Sequence, residues 1–567
     1  MDEKNKIKKM DSNIGCTRVF SILFFVFVSI YLFFLQVIDI KKYRIKAYRQ
    51  HTKELEVLRG DIVDRNGLKL VSNKITYNIY AHKKDFVEER RSVKQLAKIL
   101  SPVLNVKQER IVSLINNSDS KNVLLKKDVD RVTANKLAKM RLREVSRDLV
   151  NKRVYLQDNL ASHVLGYYNP NADISSGVEY TAKEYLESGQ NLTYQKTGKG
   201  DVIYNIGTDP KDLVTELKGP TLQLTIDSAI QYVSEQALNK KIKETNARRG
   251  AAIVMDTQTG DILAMAIAPS YNPNNYNKYP ISYLKNWALT DVYPPGSTFK
   301  VLTVASGLAL KKITKNEKIL DTGKKKIGWW TIKNHDYNKN PHPGMIDLVY
   351  LFEHSSNIAS AVIALRLDRN EFHGILSAFG IGSKTGIDLP GESLGIFPPA
   401  KKWDEARRGA MGYGYGASVT AIQMISAVNA IANNGVWVSP HVIKYSPSEM
   451  ETKLVKRRVI EPSVAKDVAD LLVKSVDRGK YKLSNYSVAA KTGTSRHGGT
   501  SSSDNEHSGR LYTSVVGFLP AKNPKITIYV IVDGARRGAV WGSTVAEPVF
   551  YDIALDAIKI LNISPDR

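Results

Sequence analysis

An uncharged apolar segment near the N-terminus constrains the fold of this chain more than any other feature. Residues 19–38 read VFSILFFVFVSIYLFFLQVI, twenty positions without an acidic or basic side chain. As an α-helix rising about 1.5 Å per residue, this segment spans the roughly 30 Å hydrocarbon layer of a bilayer. A cleaved signal peptide would have a shorter apolar region and then a small-residue cleavage site, which VIDIKKYRIKAYRQ does not offer. The sequence therefore predicts one uncleaved transmembrane helix.

Charge and cysteine content narrow the function classes. Lysine and arginine flank the apolar segment on both sides, so positive charge does not choose its orientation. The net charge of +26 is spread along the 567 residues and comes with no nucleic-acid-reading motif, so we expect no nucleic-acid ligand. Such charge favours anionic lipid or wall polymer instead. A single cysteine, Cys16, excludes an intramolecular disulfide and a cysteine-rich zinc cluster.

The rest of the chain divides into two regions that differ in their pattern of apolar and charged residues. Residues 39–218 mix short strand signals with lysine-rich helical stretches and contain no set of catalytic groups, which indicates a pedestal or partner-binding module. Asn66-Gly67 between apolar runs predicts a hairpin there. From residue 219 onward the pattern is a mixed sheet-and-helix domain. Asp227-Ser228 predicts a helix start, and GAAIVMDTQTGDILAMAIAP predicts a second hairpin.

The stretch PPGSTFK places Lys300 three residues after Ser297. A serine hydroxyl becomes a nucleophile when a neighbour removes its proton, and lysine can do so once its pKa falls far below about 10.4. The Pro-Pro-Gly sequence predicts a helix that begins at Ser297, with both side chains on one face. The alternative is a helix-capping serine and a surface lysine. The same spacing recurs without this context at Ser118–Lys121, Ser282–Lys285 and Ser463–Lys466.

Two further motifs follow along the chain. LFEHSSNIASAVIAL places Ser355 and Asn357 at the start of an apolar helix, where they can relay a proton and hold a substrate amide, or simply cap the helix. NYSVAAKTGTSR reads as a strand leading into residues 491–494 (KTGT), where a glycine permits close backbone approach and hydroxyls can bind a carboxylate. A second K-T-G at residues 384–386 leads into a turn, so we favour the later copy.

The order S-x-x-K, S-x-N, K-T-G is typical of penicillin-binding proteins and serine β-lactamases. The chain resembles class B penicillin-binding proteins over roughly residues 55–555, in segments that include RGDIVDRNG, ASHVLGY, GVEY, LTIDSAIQ, GIDLPGE and SVVGFLPAKNPKITIYVIV. Within that class, GYGYGASVTAIQM and STVAEPVF resemble the division-specific, FtsI-type members. Elongation-specific relatives tend to carry Gln where Tyr415 stands. Departures from the family pattern are Pro294 for the usual Glu, Trp287 for a common Arg, and Leu156 for the Pro of R-x-Y-P.

The resemblance implies a mixed α/β fold with a β-lactamase/transpeptidase-like domain, an antiparallel sheet flanked by helices, on an elongated α+β pedestal. We assign residues 1–18 to a cytoplasmic tail, 19–38 to the transmembrane helix, 39–218 to a pedestal or dimerisation-like domain, and 219–567 to a penicillin-binding transpeptidase domain. The resemblance implies no cofactor and no metal.

It also implies a reaction. Ser297, deprotonated by neutral Lys300, attacks the penultimate D-alanine carbonyl of a peptidoglycan stem peptide, and an amine from a neighbouring stem then takes the acyl group. Ser355 passes the proton to the departing D-alanine, and Asn357 orients the substrate amide. The Lys491 cation favours loss of the Lys300 proton. β-Lactams, which imitate the D-alanyl-D-alanine end, are expected to acylate Ser297 covalently.

The remaining site residues are assigned to substrate binding. Lys491, Thr492 and Thr494 receive the terminal carboxylate, and Gly493 leaves room for the approach. Backbone N–H groups of Ser297 and Thr494 are expected to form an oxyanion hole. The 494–512 loop, rich in glycine and serine, is expected to be disordered in the absence of substrate.

Three other functions stay open at this stage: an elongation-specific transpeptidase, a serine hydrolase such as a D,D-carboxypeptidase or β-lactamase, and a non-catalytic divisome scaffold. Because wall peptides lie outside the bacterial cytoplasmic membrane, we expect residues 39–567 on the outer side of a single-pass inner-membrane protein. The resemblance implies a SEDS-family glycosyltransferase and other divisome membrane proteins as partners.

Overall fold

The computed structural model describes residues 20–33, 52–55, 58–88, 91–170, 172–188, 192–196, 202–203, 218–496 and 510–567. Contacts divide the chain into a smaller unit, residues 1–59, 73–152 and 188–219, and a larger unit, residues 60–72, 153–187 and 220–567. Two segments of the predicted pedestal, residues 60–72 and 153–187, thus belong with the larger unit. The predicted domain division at residue 218 stays a prediction.

The strands are β1 (Thr52–Leu55), β2 (Ile62–Val63), β3 (Lys69–His82), β4 (Asn122–Val129), β5 (Val145–Tyr155), β6 (Tyr168–Asn169), β7 (Ile174–Ser175), β8 (Leu192–Lys196), β9 (Val202–Ile203), β10 (Leu222–Gln223), β11 (Arg249–Asp256), β12 (Ile262–Ala268), β13 (Lys318–Asp321), β14 (Lys324–Ile327), β15 (Trp330–Lys333), β16 (Gly344–Asp347), β17 (Val436–Val438), β18 (Lys456–Arg458), β19 (Ala489–Arg496), β20 (Leu511–Leu519) and β21 (Ile526–Asp533).

The helices are α1 (20–33), α2 (Asp85–Glu88), α3 (Val93–Leu104), α4 (Gln108–Asn116), α5 (Arg131–Lys139), α6 (Ser162–Leu165), α7 (Gly177–Thr181), α8 (Lys183–Leu186), α9 (Ser228–Thr245), α10 (Ile281–Leu284), α11 (Trp287–Thr290), α12 (Lys300–Ala309), α13 (Leu348–Glu353), α14 (Asn357–Arg366), α15 (Arg369–Ala378), α16 (Glu405–Gly412), α17 (Ala421–Ala432), α18 (Pro447–Lys453), α19 (Pro462–Asp477) and α20 (Gly542–Ile560). Short 3-10 helices cover Pro273–Lys278, Gly296–Phe299 and Ala400–Lys402.

A five-stranded antiparallel sheet in the order β12-β11-β21-β20-β19 forms the centre of the larger unit. Along β11, successive side chains point to opposite faces. Ala252 and Val254 pack with the apolar sides of α9 and α20, whereas Ala251, Ile253 and Met255 pack in the cluster that contains α12 and α17. Helices therefore cover both faces, and each fully buried Val, Ile or Met contributes about 1.5–3 kcal/mol. The predicted antiparallel sheet flanked by helices is confirmed.

The local predictions in this unit are also confirmed. β11 and β12 form the expected hairpin, in which Gly260 has φ +86° and leaves space for the Ser439 carbonyl. β2 and the first residues of β3 pair as a hairpin around Gly67, φ +85°. Asp227 caps α9 by accepting the N–H groups of Ala229 and Ile230.

The smaller unit has a core of its own. From Tyr77 onward β3 pairs with β4, and the apolar sides of α3 and α4 pack on this pair through Leu96, Leu100, Ile111 and Ile115. Ser92 and Gln95 form a capping box that fixes the start of α3. β1, β8 and β9 form a separate three-stranded sheet.

The predicted transmembrane segment lies only partly within the described residues. Residues 20–33 are helical, and the remainder of 19–38 lies outside them. Over the described ranges, no helix combines the length and apolar character needed to cross a membrane.

Candidate active site

The nucleophile candidate Ser297 lies in the 3-10 helix Gly296–Phe299, and α12 begins at Lys300. The predicted start of the α-helix at Ser297 is therefore wrong, because one turn of 3-10 helix comes before the α-helix. Gly296 has φ +57°. A Cβ at Gly414 would lie 2.2 Å from the Gly296 carbonyl oxygen, so the segment around Gly414 packs closely against this turn. Since side chains three residues apart eclipse in a 3-10 helix, Ser297 and Lys300 still point the same way.

Lys300 is fully buried and surrounded by the second motif. Its Nζ bonds Asn357 Oδ1 at 2.8 Å and Ser355 Oγ at 3.1 Å, and it also bonds the Ser355 carbonyl. Burial, and next the nearby Lys491 charge, hold the Lys300 pKa well below its usual value, while Asp321 and Asp336 act in the opposite direction. These surroundings favour a neutral amine, the form that can accept a proton.

Ser355 connects this amine to the nucleophile. Its hydroxyl bonds Ser297 Oγ at 2.8 Å, so the three groups form the chain Lys300 Nζ, Ser355 Oγ, Ser297 Oγ. Ser355 has φ +55°, a conformation that costs a non-glycine residue free energy and that recurs at functional sites. Here it coincides with both the carbonyl and the hydroxyl of Ser355 contacting Lys300.

A buried carboxylate that the sequence analysis missed supports the second motif. Asp321 accepts hydrogen bonds from the Gly323 N–H at 2.7 Å, from Asn334 Nδ2 at 2.9 Å, and from the Ser356 hydroxyl. Asn334 Oδ1 in turn accepts the Asn357 N–H at 2.9 Å. Asp321 thus fixes the start of α14, which Ser356 caps through Ala359. The only local signal was an ordinary D-T-G turn.

The third motif lies on β19, the edge strand of the central sheet. Lys491 is buried, and burial lowers its pKa to about 8, while the Glu547 carboxylate opposes this shift. A Cβ at Gly493 would lie 3.0 Å from Thr298 Cγ2 and 3.2 Å from its N, so the glycine lets the strand approach the nucleophile turn.

The flanking threonines of this motif also lie on β19. Thr492 is half-buried, and its carbonyl accepts from Lys491 Nζ at 2.9 Å. Thr494 Oγ1 accepts the Gly542 N–H at 3.0 Å, at the start of α20. The earlier K-T-G copy has a different setting: Lys384 is exposed, and Thr385 bonds Glu392 within its own turn. Of the predicted loop at 494–512, residues 494–496 belong to β19 and residues 511–512 to β20, so disorder is wrong for these ends, and residues 497–509 lie outside the described residues.

Further groups surround the three motifs and carried no sequence signal. His335 is one residue beyond Asn334, and its ring centroid lies 6.4 Å from that of Trp541, which precedes α20. Burial lowers the pKa of His335, and both Lys300 and Lys491 act in the same direction. Burial raises the pKa of Glu547 to about 7.

The structure therefore gathers Ser297, Lys300, Ser355 and Asn357 into one hydrogen-bonded network, with Lys491 close enough to influence the charge of Lys300. A serine whose proton can pass to a buried lysine of lowered pKa defines a site for acyl transfer through a covalent serine ester.

Comparison with known proteins gives the same class. Residues 250–555 match the penicillin binding protein transpeptidase domain, and residues 54–200 match the penicillin-binding protein dimerisation domain. The chain belongs to the penicillin-binding protein transpeptidase family. The predicted resemblance to class B members of the FtsI type is confirmed.

Individual relatives cover nearly the whole chain. The probable peptidoglycan D,D-transpeptidase PenA of Neisseria gonorrhoeae is 27% identical over 91% of this chain and 87% of its own length. The peptidoglycan D,D-transpeptidase FtsI of Buchnera aphidicola is 27% identical over 97% of this chain and 95% of its own. The crystal structure of penicillin binding protein 2X from Streptococcus thermophilus has the same fold, with TM-score 0.71 and 20% identity over 90% of this chain and 80% of that one.

Proposed function

We propose that this chain is a peptidoglycan D,D-transpeptidase that crosslinks stem peptides through an acyl-enzyme at Ser297. The hydrogen-bonded chain from Lys300 through Ser355 to Ser297 carries the proposal. Hydroxyl hydrogens rotate to suit their partners, so the same oxygens can pass a proton from Ser297 to Ser355 and from Ser355 to the neutral amine. The Ser297 oxygen then attacks the carbonyl carbon of the penultimate D-alanine.

The two buried lysines have different tasks. Lys300 must be neutral to accept the proton, and its burial beside another cation favours that form. Lys491, whose pKa is lowered only to about 8, stays mostly protonated at pH 7 and can attract the terminal carboxylate. Thr492 and Thr494 supply hydroxyls to the same carboxylate. The same cleft thus holds Lys300 as the base and Lys491 as the cation that binds the carboxylate.

Acylation and deacylation follow from the same relay. The proton held by Lys300 returns through Ser355 to the amine of the departing D-alanine as the peptide bond breaks. The incoming amine of a second stem peptide loses its proton along the reverse path and attacks the ester. The crosslink forms, and Ser297 regains its hydroxyl hydrogen. Asn357, held by Lys300 and by the Lys333 carbonyl, is placed to orient the substrate amide.

Covalent labelling tests the nucleophile. The purified chain is incubated with a fluorescent penicillin, and we expect label on the wild type and none on Ser297→Ala. Ser282→Ala is the matched control, because Ser282 has the same spacing to a lysine but is exposed. Label that survives in Ser297→Ala would refute the assignment. Rapid release of label as penicilloate, with no amide formed to an added amine acceptor, would favour the hydrolase alternative.

We further propose the cellular setting. The FtsI name of the Buchnera aphidicola relative supports a role in septal wall synthesis, and the uncharged segment 19–38 supports a single-pass inner-membrane anchor with residues 1–18 inside. Residues 39–218 would form the pedestal and 219–567 the transpeptidase domain. A SEDS-family glycosyltransferase and other divisome membrane proteins are the expected partners. Protease treatment of spheroplasts should digest the catalytic domain, and protection of that domain would reverse the topology.

A further inference from the structure

A short hairpin beside the catalytic cleft has a surface that the acyl-transfer chemistry does not use. It consists of β14 (Lys324–Ile327) and β15 (Trp330–Lys333), joined at Gly328 and Trp329. On its inner side Ile327 and Ile332 are buried in a cluster with Ile358 of α14. Because α14 begins at the second motif, the hairpin is fixed to the same helix as the catalytic groups.

Two tryptophans stand at the turn of this hairpin with much of their surface in solvent. Trp329 is 73% exposed and Trp330 is 50% exposed. They are not loosely held: their ring centroids are 5.6 Å apart in an edge-to-face arrangement, and Trp329 Nε1 donates to Asp404 Oδ2 at 3.1 Å. Exposed aromatic rings whose orientation is already fixed lose little entropy when a ligand stacks on them.

The hairpin is also strongly basic. Residues 324–333 read KKKIGWWTIK, with four lysines and no acidic side chain. Among the residues that the structure describes, no carboxylate forms an ion pair with Lys324, Lys325 or Lys326, and all three are exposed. Lys333 lies over the Tyr337 ring, with Nζ 5.4 Å from the ring centroid. Within the described part of the chain, β14 thus presents lysines without an ion-pair partner beside two indole rings, which fits a ligand that combines apolar ring faces with carboxylates.

The surface is continuous with the catalytic site. The Lys333 carbonyl accepts a hydrogen bond from Asn357 Nδ2 at 2.9 Å. At about 3.3 Å per residue, Trp330 lies about 10 Å along the strand from that contact. A polymer bound along the hairpin would therefore present its side branches to the cleft.

We propose that this tryptophan-lysine hairpin binds the glycan strand of peptidoglycan, with the indole rings against sugar faces and the lysines against the carboxylates of stem peptides. This inference rests on the proposed function, because that function makes a glycan-linked acidic peptide the substrate. The hairpin holds the polymer while the reacting stem peptide enters the cleft, so it contributes to substrate affinity and not to the chemical step.

The test compares binding and acylation in the full-length chain held in nanodiscs of neutral lipid. Co-sedimentation with purified sacculi should weaken about tenfold in Trp329→Ala/Trp330→Ala, which is a combined loss of about 1.4 kcal/mol for the two indole contacts. Lys324→Gln/Lys326→Gln should weaken binding and make it less sensitive to salt. Both variants should react with penicillin at the wild-type rate. Because the lysine variant keeps the apolar contacts of the hairpin, it tests the surface even if the tryptophan variant folds poorly.

Matched controls use exposed groups on α9. Tyr232→Ala removes an aromatic ring that is 56% exposed, and Lys240→Gln/Lys243→Gln removes two exposed lysines. Neither should change binding. Sacculi stripped of stem peptides by an amidase should keep the tryptophan effect and lose the lysine effect.

Three results would overturn the inference. They are unchanged sacculus binding in both hairpin variants, an equal loss in the α9 controls, or a loss confined to flotation with phosphatidylglycerol vesicles, which would identify a membrane surface. Failure of the proposed function is distinguishable, because it would appear as a wild-type chain that penicillin does not acylate.

Discussion

Asp321 offers the sharpest test of how the site is held together. In Asp321→Ala the buried carboxylate disappears, and the Gly323 N–H, the Asn334 amide and the Ser356 hydroxyl lose their acceptor. At about 1–1.5 kcal/mol for each abandoned donor, the free energy of unfolding should fall by about 3–5 kcal/mol. Urea denaturation of the purified chain, followed by intrinsic fluorescence, measures this change.

The same substitution should alter the pH dependence of acylation. The Asp321 charge raises the pKa of Lys300, so its removal should lower that pKa further and move the acid limb of the penicillin acylation profile to lower pH. Asp321→Asn preserves the shape and should shift the acid limb with a smaller loss of stability. Asp368→Ala is the control, since the exposed Asp368 caps α15 and should leave the profile unchanged. A loss below about 1 kcal/mol together with an unmoved limb would refute the reasoning.

Two further substitutions test the relay and the binding cation. Ser355→Ala removes the oxygen between Lys300 and Ser297, and stopped-flow measurement should show acylation slowed about 10²- to 10⁴-fold; an unchanged rate would indicate direct transfer. Lys491 should lose its proton, and with it the substrate carboxylate, as pH rises through about 8, because burial disfavours its charged form. KM for a D-alanyl-D-alanine peptide should therefore rise above pH 8 in the wild type but not in Lys491→Arg, whose guanidinium stays charged; identical alkaline limbs would contradict this role.

Local chemistry was sufficient to predict much of the fold. The helix start at Asp227 and the hairpins at Gly67 and Gly260 depend on residues within a few positions of one another, and the structure has all three. The order of the three motifs likewise located the groups that meet around Ser297. These features are readable because a cap or a turn is determined by its own short segment.

The parts that could not be predicted depend on distant contacts. Asp321 lies 35 positions before Ser356, and nothing in its neighbourhood marks it as the anchor of the second motif. At the tight turn around Ser297, the Gly296 N–H donates to the Gly414 carbonyl at 3.1 Å, a contact that no local pattern encodes. Sequence spacing alone also gave a direct transfer between Lys300 and Ser297, whereas the hydrogen bonds of the described residues run by way of Ser355.

The strand order of the central sheet has a consequence for synthesis of the protein. β19, which carries Lys491, is joined to β11 only through β20 and β21, and both of these strands come later in the chain. A ribosome that has already made every catalytic side chain must still produce residues up to Asp533 before the sheet can close. A nascent chain should thus become able to react with penicillin only late in its synthesis. C-terminal truncations that remove β21 should abolish this reaction while leaving all three motifs intact.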